Sequence, residues 1–290
     1  MIKYMNQLDV ILEEGEWTKN RTGVKTIEIF GMQARYNLQL GFPAITIRKL
    51  TWKSMVSELL WFISGSQNLN DLKKIYPYNK FWDPNYEDFV DRYPGHPDHF
   101  SENEYRSGYL GYIYGYQWRN FPHRTQRGYA LIDQIAEMEH ALRNTPDSRR
   151  IIVSAWNPGE VTSEAVALPP CHVLFQCRVI NGKLHLQMFQ RSCDMFLGVP
   201  INIASYSLLT YMIAHIMKLE VGTFIHTMAS AHIYANHVPQ VHEMLRRHPF
   251  PPPTLSIVDR GQTELRDFVM SDFELLNYQH HPQLKGDMAV

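Results

Sequence analysis

A cysteine in the segment LPPCHVLFQC, residues 168–177, has the surroundings of a candidate nucleophile. Two prolines precede Cys171, and an alternating run that is typical of a strand follows it. A free cysteine is more often a small core residue, so the thiol needs a charged partner before it indicates chemistry. A neighbouring guanidinium would favour the reactive thiolate over the thiol.

The hairpin that follows Cys171 predicts such a partner. Asn-Gly at 181–182 favours a two-residue turn in which both φ angles are positive. If the strands pair outward from this turn without a bulge, Cys171 faces Ser192 and His172 faces Arg191. The thiol would then meet a hydroxyl and a guanidinium, which together also suit a phosphate group.

Further polar side chains could bind a nucleotide. Asn202 has the amide donor and acceptor that can read a base edge, although an asparagine at a helix entrance is more often a cap. His232 and Tyr234 share one face of a predicted strand and could hold a sugar hydroxyl. SRR at 148–150 adds two guanidiniums suited to a phosphate, although such arginines more often form surface ion pairs.

The elements that position these groups follow from hydrophobic periodicity. Glu58 lies at the edge of the apolar stripe of one helix, which predicts a half-buried carboxylate. Residues 75–107 have no period and are either a surface excursion near a site or a variable insertion. We predict one α/β domain over residues 1–290. Its predicted helices are at 2–13, 51–64, 127–143, 200–219 and 235–247. Its predicted strands are at 24–38 (strand, turn, strand), 148–156, 171–192 (two strands joined at 181–182), 223–234, 254–258 and 267–278.

Composition limits the partners and the location. The 28 Lys and Arg residues balance 29 Asp and Glu residues and are dispersed, so we expect no nucleic-acid or membrane partner. The N-terminus does not resemble a signal peptide, and we expect a cytoplasmic protein. Three cysteines without metal-type spacing predict reduced thiols, and 14 histidines without an H-x-x-x-H pair predict no metal site.

Ordered motifs along nearly the whole chain resemble the thymidylate synthase family. They are NRTGVKTIEIFG, SELLWFISG, YGYQWRNF, DSRRIIVSAWNP, LPPCH, QRSCDMFLGVP, NIASY, AHIYANH and LKGDMAV. The resemblance implies a mixed, mainly antiparallel sheet packed by helices, and an obligate homodimer that forms sheet to sheet. It also implies transfer of a one-carbon unit from the co-substrate 5,10-methylenetetrahydrofolate to C5 of dUMP, which gives dTMP and dihydrofolate.

The resemblance further implies roles for individual residues. Cys171 would add to C6 of uracil, Glu58 would organise water around O4, and Tyr114 would assist proton removal at C5. The residues implied to bind dUMP are Arg21, Arg191 and Ser192 at the phosphate, Arg149 and Arg150 from the other subunit, Asn202 at the base, His232 and Tyr234 at the ribose, and Asp194. The residues implied to hold folate are Trp82, Leu168, Asp194 and Gly198, under a C-terminal lid that includes Ala289.

Four departures from the family pattern leave a second chemistry open. They are Ile201 in place of a usual Phe, Met228-Ala229-Ser230 in place of two glycines and a polar residue, Tyr112 and Tyr116 beside Tyr114, and Asn85 in place of Trp, a form shared with viral relatives. A reshaped folate wall could admit water, so the product would be 5-hydroxymethyl-dUMP and tetrahydrofolate. An inactive nucleotide-binding or RNA-binding relative is the third alternative, which the intact Cys171 disfavours. If the source is viral, the location would be the host cytoplasm.

Overall fold

The computed structural model describes residues 1–93, 108–126, 128–161 and 166–287. These residues group into two units by their contacts. Unit 1 contains Met1–Thr51, Val179–Gly261 and the described residues from Ser271 onward, and unit 2 contains the described part of Trp52–Arg178 with Gln262–Met270. The single domain over residues 1–290 stays a prediction.

The two units contain helices and strands in mixed order. The helices are α1 (Ile2–Glu14), α2 (Trp52–Ser64), α3 (Leu69–Ile75), α4 (Asp83–Arg92), α5 (Tyr114–Arg119), α6 (Gln134–Asn144), α7 (Pro158–Val161), α8 (Gly198–Met217) and α9 (Val238–Leu245). The strands are β1 (Glu16–Thr18), β2 (Thr26–Asn37), β3 (Phe121–Thr125), β4 (Gly128–Ile132), β5 (Ile152–Ser154), β6 (His172–Ile180), β7 (Lys183–Asp194), β8 (Glu220–Tyr234), β9 (Thr254–Ile257) and β10 (Phe273–Leu276).

The main sheet of unit 1 is mixed, as the resemblance implies. Strand β2 pairs antiparallel with β1 on one side and with β8 on the other. Strand β8 pairs parallel with β7, and α8 is the crossover helix that such a parallel pair requires. A separate antiparallel pair joins β9 and β10. In unit 2, β5 pairs antiparallel with β6, and β3 pairs antiparallel with β4.

Helix α8 is buried because it is apolar nearly all round. Its 20 residues are long and apolar enough to cross a bilayer, but 83% of its most apolar window is buried inside the protein, as in a core helix. The sheet contributes the buried side chains Leu184, Leu186 and Met188 at every second position of β7. Gln190 is the next position in this row and is also buried, which places an amide among apolar neighbours.

The turn after β6 has the predicted conformation. Asn181 and Gly182 have φ values of 51° and 74°, so both lie in the left-handed region that a type I′ turn needs. The pairing of Cys171 with Ser192 stays a prediction. His232 and Tyr234 occupy alternate positions near the end of β8, as the period of two predicts.

Local predictions are wrong at several element boundaries. The strands predicted at 148–156 and 267–278 extend only over Ile152–Ser154 and Phe273–Leu276. Residues 26–37 form one continuous strand, because pairing with β8 continues past Gly31 although its φ is 90°. Helix α6 begins at Gln134, because residues 128–132 pair with β3 and Asp133 Oδ1 caps the helix by accepting the Ala136 N–H at 2.9 Å. Within the segment 75–107, which we predict as an irregular surface excursion, Asp83–Arg92 form the helix α4. Residues 94–107 lie outside the described part.

Candidate active site

The first group of candidate residues lies in unit 2 around Cys171, which forms no disulfide and is half-buried directly before β6. The backbone N–H of Cys171 donates to Tyr114 Oη at 2.7 Å. We name Cys171, Tyr114, Glu58 and Trp82 the thiol cluster. The bond fixes the phenol oxygen beside the cysteine backbone, so the structure brings together two residues that lie 57 positions apart.

Aromatic rings hold Tyr114 in place. Its ring packs on Phe62 at a centroid distance of 4.6 Å, on His172 at 5.0 Å and on the edge of Trp82 at 6.1 Å. The Tyr114 side chain is buried, with 3% of its surface exposed. Such packing restricts the phenol to one orientation, which a group that positions a proton requires.

Glu58 is a half-buried carboxyl on α2, as the sequence predicts. Burial raises the pKa of Glu58 to about 7, and the hydrogen bond that it accepts from Trp82 Nε1 at 2.7 Å opposes this rise. A carboxyl with a pKa near neutrality can both hold and release a proton at physiological pH. The thiol cluster therefore contains a group suited to general acid–base chemistry.

The segment before Cys171 is anchored by an arginine that sequence reasoning missed. Arg92 Nη2 donates to the carbonyl oxygens of Val166 at 2.7 Å and Ala167 at 2.8 Å. These bonds fix the backbone in front of Leu168, a predicted folate contact that is half-buried. No local pattern indicates this role, because the bonded residues are more than 70 positions apart.

Arg149 and Arg150 are exposed in unit 2, in the connection between α6 and β5. Gln176 Nε2 donates to the Arg149 carbonyl oxygen at 2.8 Å, and the Arg150 N–H donates to Ser148 Oγ at 3.2 Å. Arg150 also borders a cavity of about 300 Å³ between the β3–β4 hairpin, α6 and β5. Both arginines are therefore accessible from solvent.

The second group lies in unit 1 around Asn202, which is buried in the second turn of α8 and is not its cap. Gln190 Nε2 donates to Asn202 Oδ1 at 3.0 Å and to the Ser192 carbonyl oxygen at 2.9 Å. Gln190 Oε1 lies 2.8 Å from His226 Nε2. We name Asn202, Gln190 and His226 the amide cluster.

Asp194 and Gly198 lie next to the amide cluster. Asp194 Oδ1 accepts the N–H groups of Phe196 at 2.9 Å and Leu197 at 3.1 Å, which turns the chain into α8. A Cβ atom added to Gly198 would lie 3.6 Å from Asn202 Oδ1 and 3.8 Å from Asp194 Cβ. The structure thus brings together three residues that the sequence assigns to the base and folate sites.

Strand pairing brings the candidate sugar and phosphate residues of unit 1 near one another. Asp194 pairs with His232 across the parallel strands, and Ser192 pairs with Ser230 two positions earlier. His232 Nδ1 lies 3.1 Å from the Ser230 carbonyl oxygen, and the His232 ring packs edge-on to Tyr234 at 5.2 Å. Ser192 and the preceding Arg191 are half-buried on β7.

The remaining candidates lie at loops and at the C-terminus. Arg21 is exposed in the turn between β1 and β2, where Asn20 Oδ1 accepts the Thr22 N–H at 2.9 Å. Ala289 lies outside the described residues. The described tail ends beside His237, whose Nε2 is 2.9 Å from the Asp287 carbonyl oxygen. A Cβ at Gly286 would come within 2.6 Å of Phe196, so only glycine fits there without a shift.

The Met228-Ala229-Ser230 departure from the family pattern lies in a regularly paired strand. Met228 and Ser230 pair with β2 and β7 on either side of β8, and none of residues 228–230 has a positive φ. Glycine is therefore not needed there for its backbone freedom. Tyr112 and Tyr116 stack on each other at 4.2 Å. Within residues 1–93, 108–126, 128–161 and 166–287, no group of three or more His, Cys, Asp or Glu side chains could hold a metal ion.

Comparisons with known proteins agree with the motifs. The family model described as thymidylate synthase matches residues 2–290. The thymidylate synthase of Buchnera aphidicola subsp. Baizongia pistaciae is 42% identical over 291 residues, which cover 100% of both chains. The thymidylate synthase of Varicella-zoster virus (strain Dumas) is 43% identical over 299 residues, which cover 100% of this chain and 94% of the viral one.

Proposed function

Because this chain belongs to the thymidylate synthase family, we propose that it transfers a one-carbon unit from 5,10-methylenetetrahydrofolate to C5 of dUMP. The products are dTMP and dihydrofolate. The observation that carries this proposal is the family match over residues 2–290 together with similarity to full-length relatives. The folate supplies both the carbon and the hydride that completes the methyl group.

The thiol cluster supplies the reactive groups in this proposal. Cys171 adds to C6 of uracil, because C5 becomes nucleophilic only when the ring is converted to an enolate. Tyr114 assists removal of the proton from C5, which its fixed orientation supports. Glu58 exchanges protons with water near O4, which is supported by the rise of its pKa to about 7 on burial.

The residues of unit 1 bind dUMP in this proposal. Asn202 pairs with O4 and N3–H of uracil, and His232 and Tyr234 hold the ribose hydroxyl. Two guanidiniums and a hydroxyl suit the dianionic phosphate, since charge-assisted hydrogen bonds are the strong ones. The proposed phosphate ligands are Arg21, Arg191 and Ser192, with Arg149 and Arg150 from a second subunit.

The homodimer is part of this proposal. Arg149 and Arg150 are exposed, which a role in a partner's phosphate site requires. We assign the dimer contact to the sheet face that carries Gln187, where Gln33 and Gln187 both donate to Thr227 Oγ1.

Mixed dimers of a Cys171→Ser protomer and an Arg149→Ala/Arg150→Ala protomer should regain activity, because one site is then intact. Mixed dimers without activity would contradict the shared site.

The proposed folate contacts are Trp82, Leu168, Asp194, Gly198 and Ala289. Among the described residues, both bonds of the Asp194 carboxylate go to Oδ1, which leaves Oδ2 for a ligand donor. A Cβ at Gly198 would lie in van der Waals contact with Asp194, so glycine keeps a side chain away from this carboxylate. These features fit a pterin ring with polar edges, and no metal is needed. The balanced net charge of −1 supports small-molecule partners, without nucleic acid or membrane. Three cysteines without disulfides support a cytoplasmic location.

Product analysis distinguishes this function from the alternatives. The protein is incubated with dUMP and methylenetetrahydrofolate, dihydrofolate is followed by absorbance, and the nucleotide is identified by mass. We expect one dihydrofolate per dTMP. The relatives do not favour the hydroxymethylase, which would give 5-hydroxymethyl-dUMP without dihydrofolate. No product at all would favour the inactive relative.

A further inference from the structure

One backbone group, the Ser192 carbonyl, determines which atoms of the amide cluster donate and which accept. The carbonyl oxygen of Ser192 can only accept, so the atom of Gln190 that lies 2.9 Å from it must be the amide nitrogen. The same nitrogen lies 3.0 Å from Asn202, and its second hydrogen is directed there. Gln190 thus uses both amide hydrogens, one on a carbonyl of fixed polarity and one on Asn202.

The direction of these bonds continues to His226. Because Gln190 Oε1 is an acceptor, the His226 Nε2 that lies 2.8 Å from it must carry the hydrogen. All three side chains are buried, with exposed fractions of 0% for His226, 2% for Gln190 and 9% for Asn202. Reversal of the Gln190 amide would place its oxygen against the Ser192 carbonyl oxygen, and buried polar groups without partners are costly.

This arrangement fixes which end of the Asn202 amide can face a ligand. Asn202 Oδ1 accepts from Gln190, so Nδ2 remains as the donor. Uracil presents an acceptor at position 4 and a donor at N3, which match Nδ2 and the second lone pair of Oδ1. Cytosine presents the reverse pattern, and it would require Asn202 to turn its amide and place its own donor against the donor of Gln190.

We propose that Gln190, held in place by His226, is the positioning residue that makes the base site select uracil over cytosine. The inference rests on the proposed function, since Asn202 must be the residue that reads the base. Gln190 acts through Asn202 and does not itself touch the nucleotide. Of the three side chains in the amide cluster, only Asn202 was predicted from the sequence.

The decisive variant is Gln190→Glu. A carboxyl carries at most one hydrogen, so it cannot donate to both Ser192 and Asn202. The Ser192 carbonyl can only accept, so the carboxyl hydrogen is directed to it. Asn202 then turns its amide, so that Nδ2 donates to the carboxyl and Oδ1 faces the amino group of cytosine. We expect the ratio of kcat/KM for dUMP to kcat/KM for dCMP to fall by about 10- to 100-fold. The inhibition constant of dCMP should fall as well, which measures the change independently of turnover.

The control is Gln7→Glu. Gln7 is a second buried glutamine of unit 1, with 7% of its surface exposed, and it has no hydrogen bond to Asn202. This variant also introduces a buried carboxyl and can lose stability, but its dUMP to dCMP ratio should equal that of the parent. A matching fall in both variants would overturn the proposal, because it would then reflect general destabilisation.

A second pair of variants tests the network if Gln190→Glu does not fold. His226→Phe keeps a buried ring beside Phe224, which lies 5.8 Å away, but loses the donor to Gln190. We expect the base preference to fall by about 3- to 10-fold in this variant. His226→Gln keeps a terminal N–H donor and should restore the preference. An unchanged ratio in His226→Phe would overturn the proposal.

These outcomes are separate from the outcome for the proposed function. If the parent protein gives no dTMP, the proposed function fails whatever the variants show. If the parent methylates dUMP and Gln190→Glu keeps the parental preference while folded, the proposed function stands and the positioning role of Gln190 is wrong.

Discussion

The thiol cluster and the amide cluster use different kinds of polar group. The thiol cluster contains a thiol, a phenol and the carboxyl of Glu58, whose pKa burial raises to about 7. The amide cluster contains two amides, which neither gain nor lose protons, and the imidazole of His226, which contacts the Gln190 amide. The donors and acceptors of the two amides are fixed by a backbone carbonyl. Proton transfer needs groups that change protonation near neutrality, whereas recognition of a base needs groups that do not.

The two clusters are similar in the way that they are anchored. In each, one backbone group of fixed polarity orients a side chain: the Cys171 N–H holds the Tyr114 oxygen, and the Ser192 carbonyl holds the Gln190 nitrogen. A substitution in the thiol cluster should therefore change rate, and one in the amide cluster should change base preference. The following predictions test this division, from the largest effect to the smallest.

Replacement of the nucleophile should have the largest effect. We expect Cys171→Ser to lower kcat by at least about 10⁴-fold, because a neutral serine hydroxyl is a much weaker nucleophile toward C6 than a cysteine thiolate. Binding of dUMP, measured by calorimetry, should remain. Cys177→Ala, at a buried cysteine of the same strand, is the control and should keep turnover. Turnover of Cys171→Ser within tenfold of the parent would show that the thiol does not attack.

Removal of the titrating carboxyl should have the next largest effect. We expect Glu58→Gln to lower kcat by about 100- to 1,000-fold, because the amide cannot exchange a proton with water near O4. The pH profile of kcat should also lose an ionisation near pH 7, where the parent carboxyl titrates. Glu139→Gln is the control, since burial raises the pKa of Glu139 as well but its carboxylate accepts the Leu265 N–H. Loss of the same ionisation in both variants would contradict the assignment to Glu58.

A change in the amide cluster should alter the base rather than the rate of chemistry. In Asn202→Asp one carboxylate oxygen keeps the hydrogen bond from Gln190, and the other accepts from the amino group of cytosine. We expect preference to move from dUMP toward dCMP by about 10- to 100-fold in kcat/KM. Asn79→Asp, at a buried asparagine of unit 2, should leave the preference unchanged. An unaltered preference in Asn202→Asp would mean that Asn202 does not read the base.

The smallest effect should come from removal of the Trp82 hydrogen bond, which lowers the pKa of Glu58. Trp82→Phe removes the N–H that stabilises the ionised carboxylate, so the pKa of Glu58 should rise further. The ionisation in the pH profile of kcat should then move to higher pH, with a loss below about tenfold at the optimum. Trp61→Phe is the control, because the Trp61 indole donates to the Asn68 carbonyl instead. A shift to lower pH in Trp82→Phe would contradict the role of this bond.

Much of the fold could be predicted because its signals are local. The Asn-Gly turn at 181–182, the alternation of His232 and Tyr234, the buried helix α8 and the half-buried Glu58 each depend on residues within a few positions. The wrong boundaries at β2 and α6 have different causes. At β2 a long-range strand partner, β8, determines the structure, and that partner is not visible in the local pattern. At α6 the partner is the neighbouring strand β3, and the helical period of 127–143 hid the hairpin that residues 128–132 form with it.

By itself the sequence determined which residues could react or bind: the thiol of Cys171, the carboxyl of Glu58 and the amide of Asn202. The side chains that orient them came only from the tertiary structure. The parallel register places Met188 opposite His226, so the His226 ring reaches Gln190, which is two positions further along the same face of β7. Arg92 reaches the segment before Cys171 from 74 positions away. Residue type sets what a group can do, whereas strand register and packing decide which neighbour satisfies each of its hydrogen bonds.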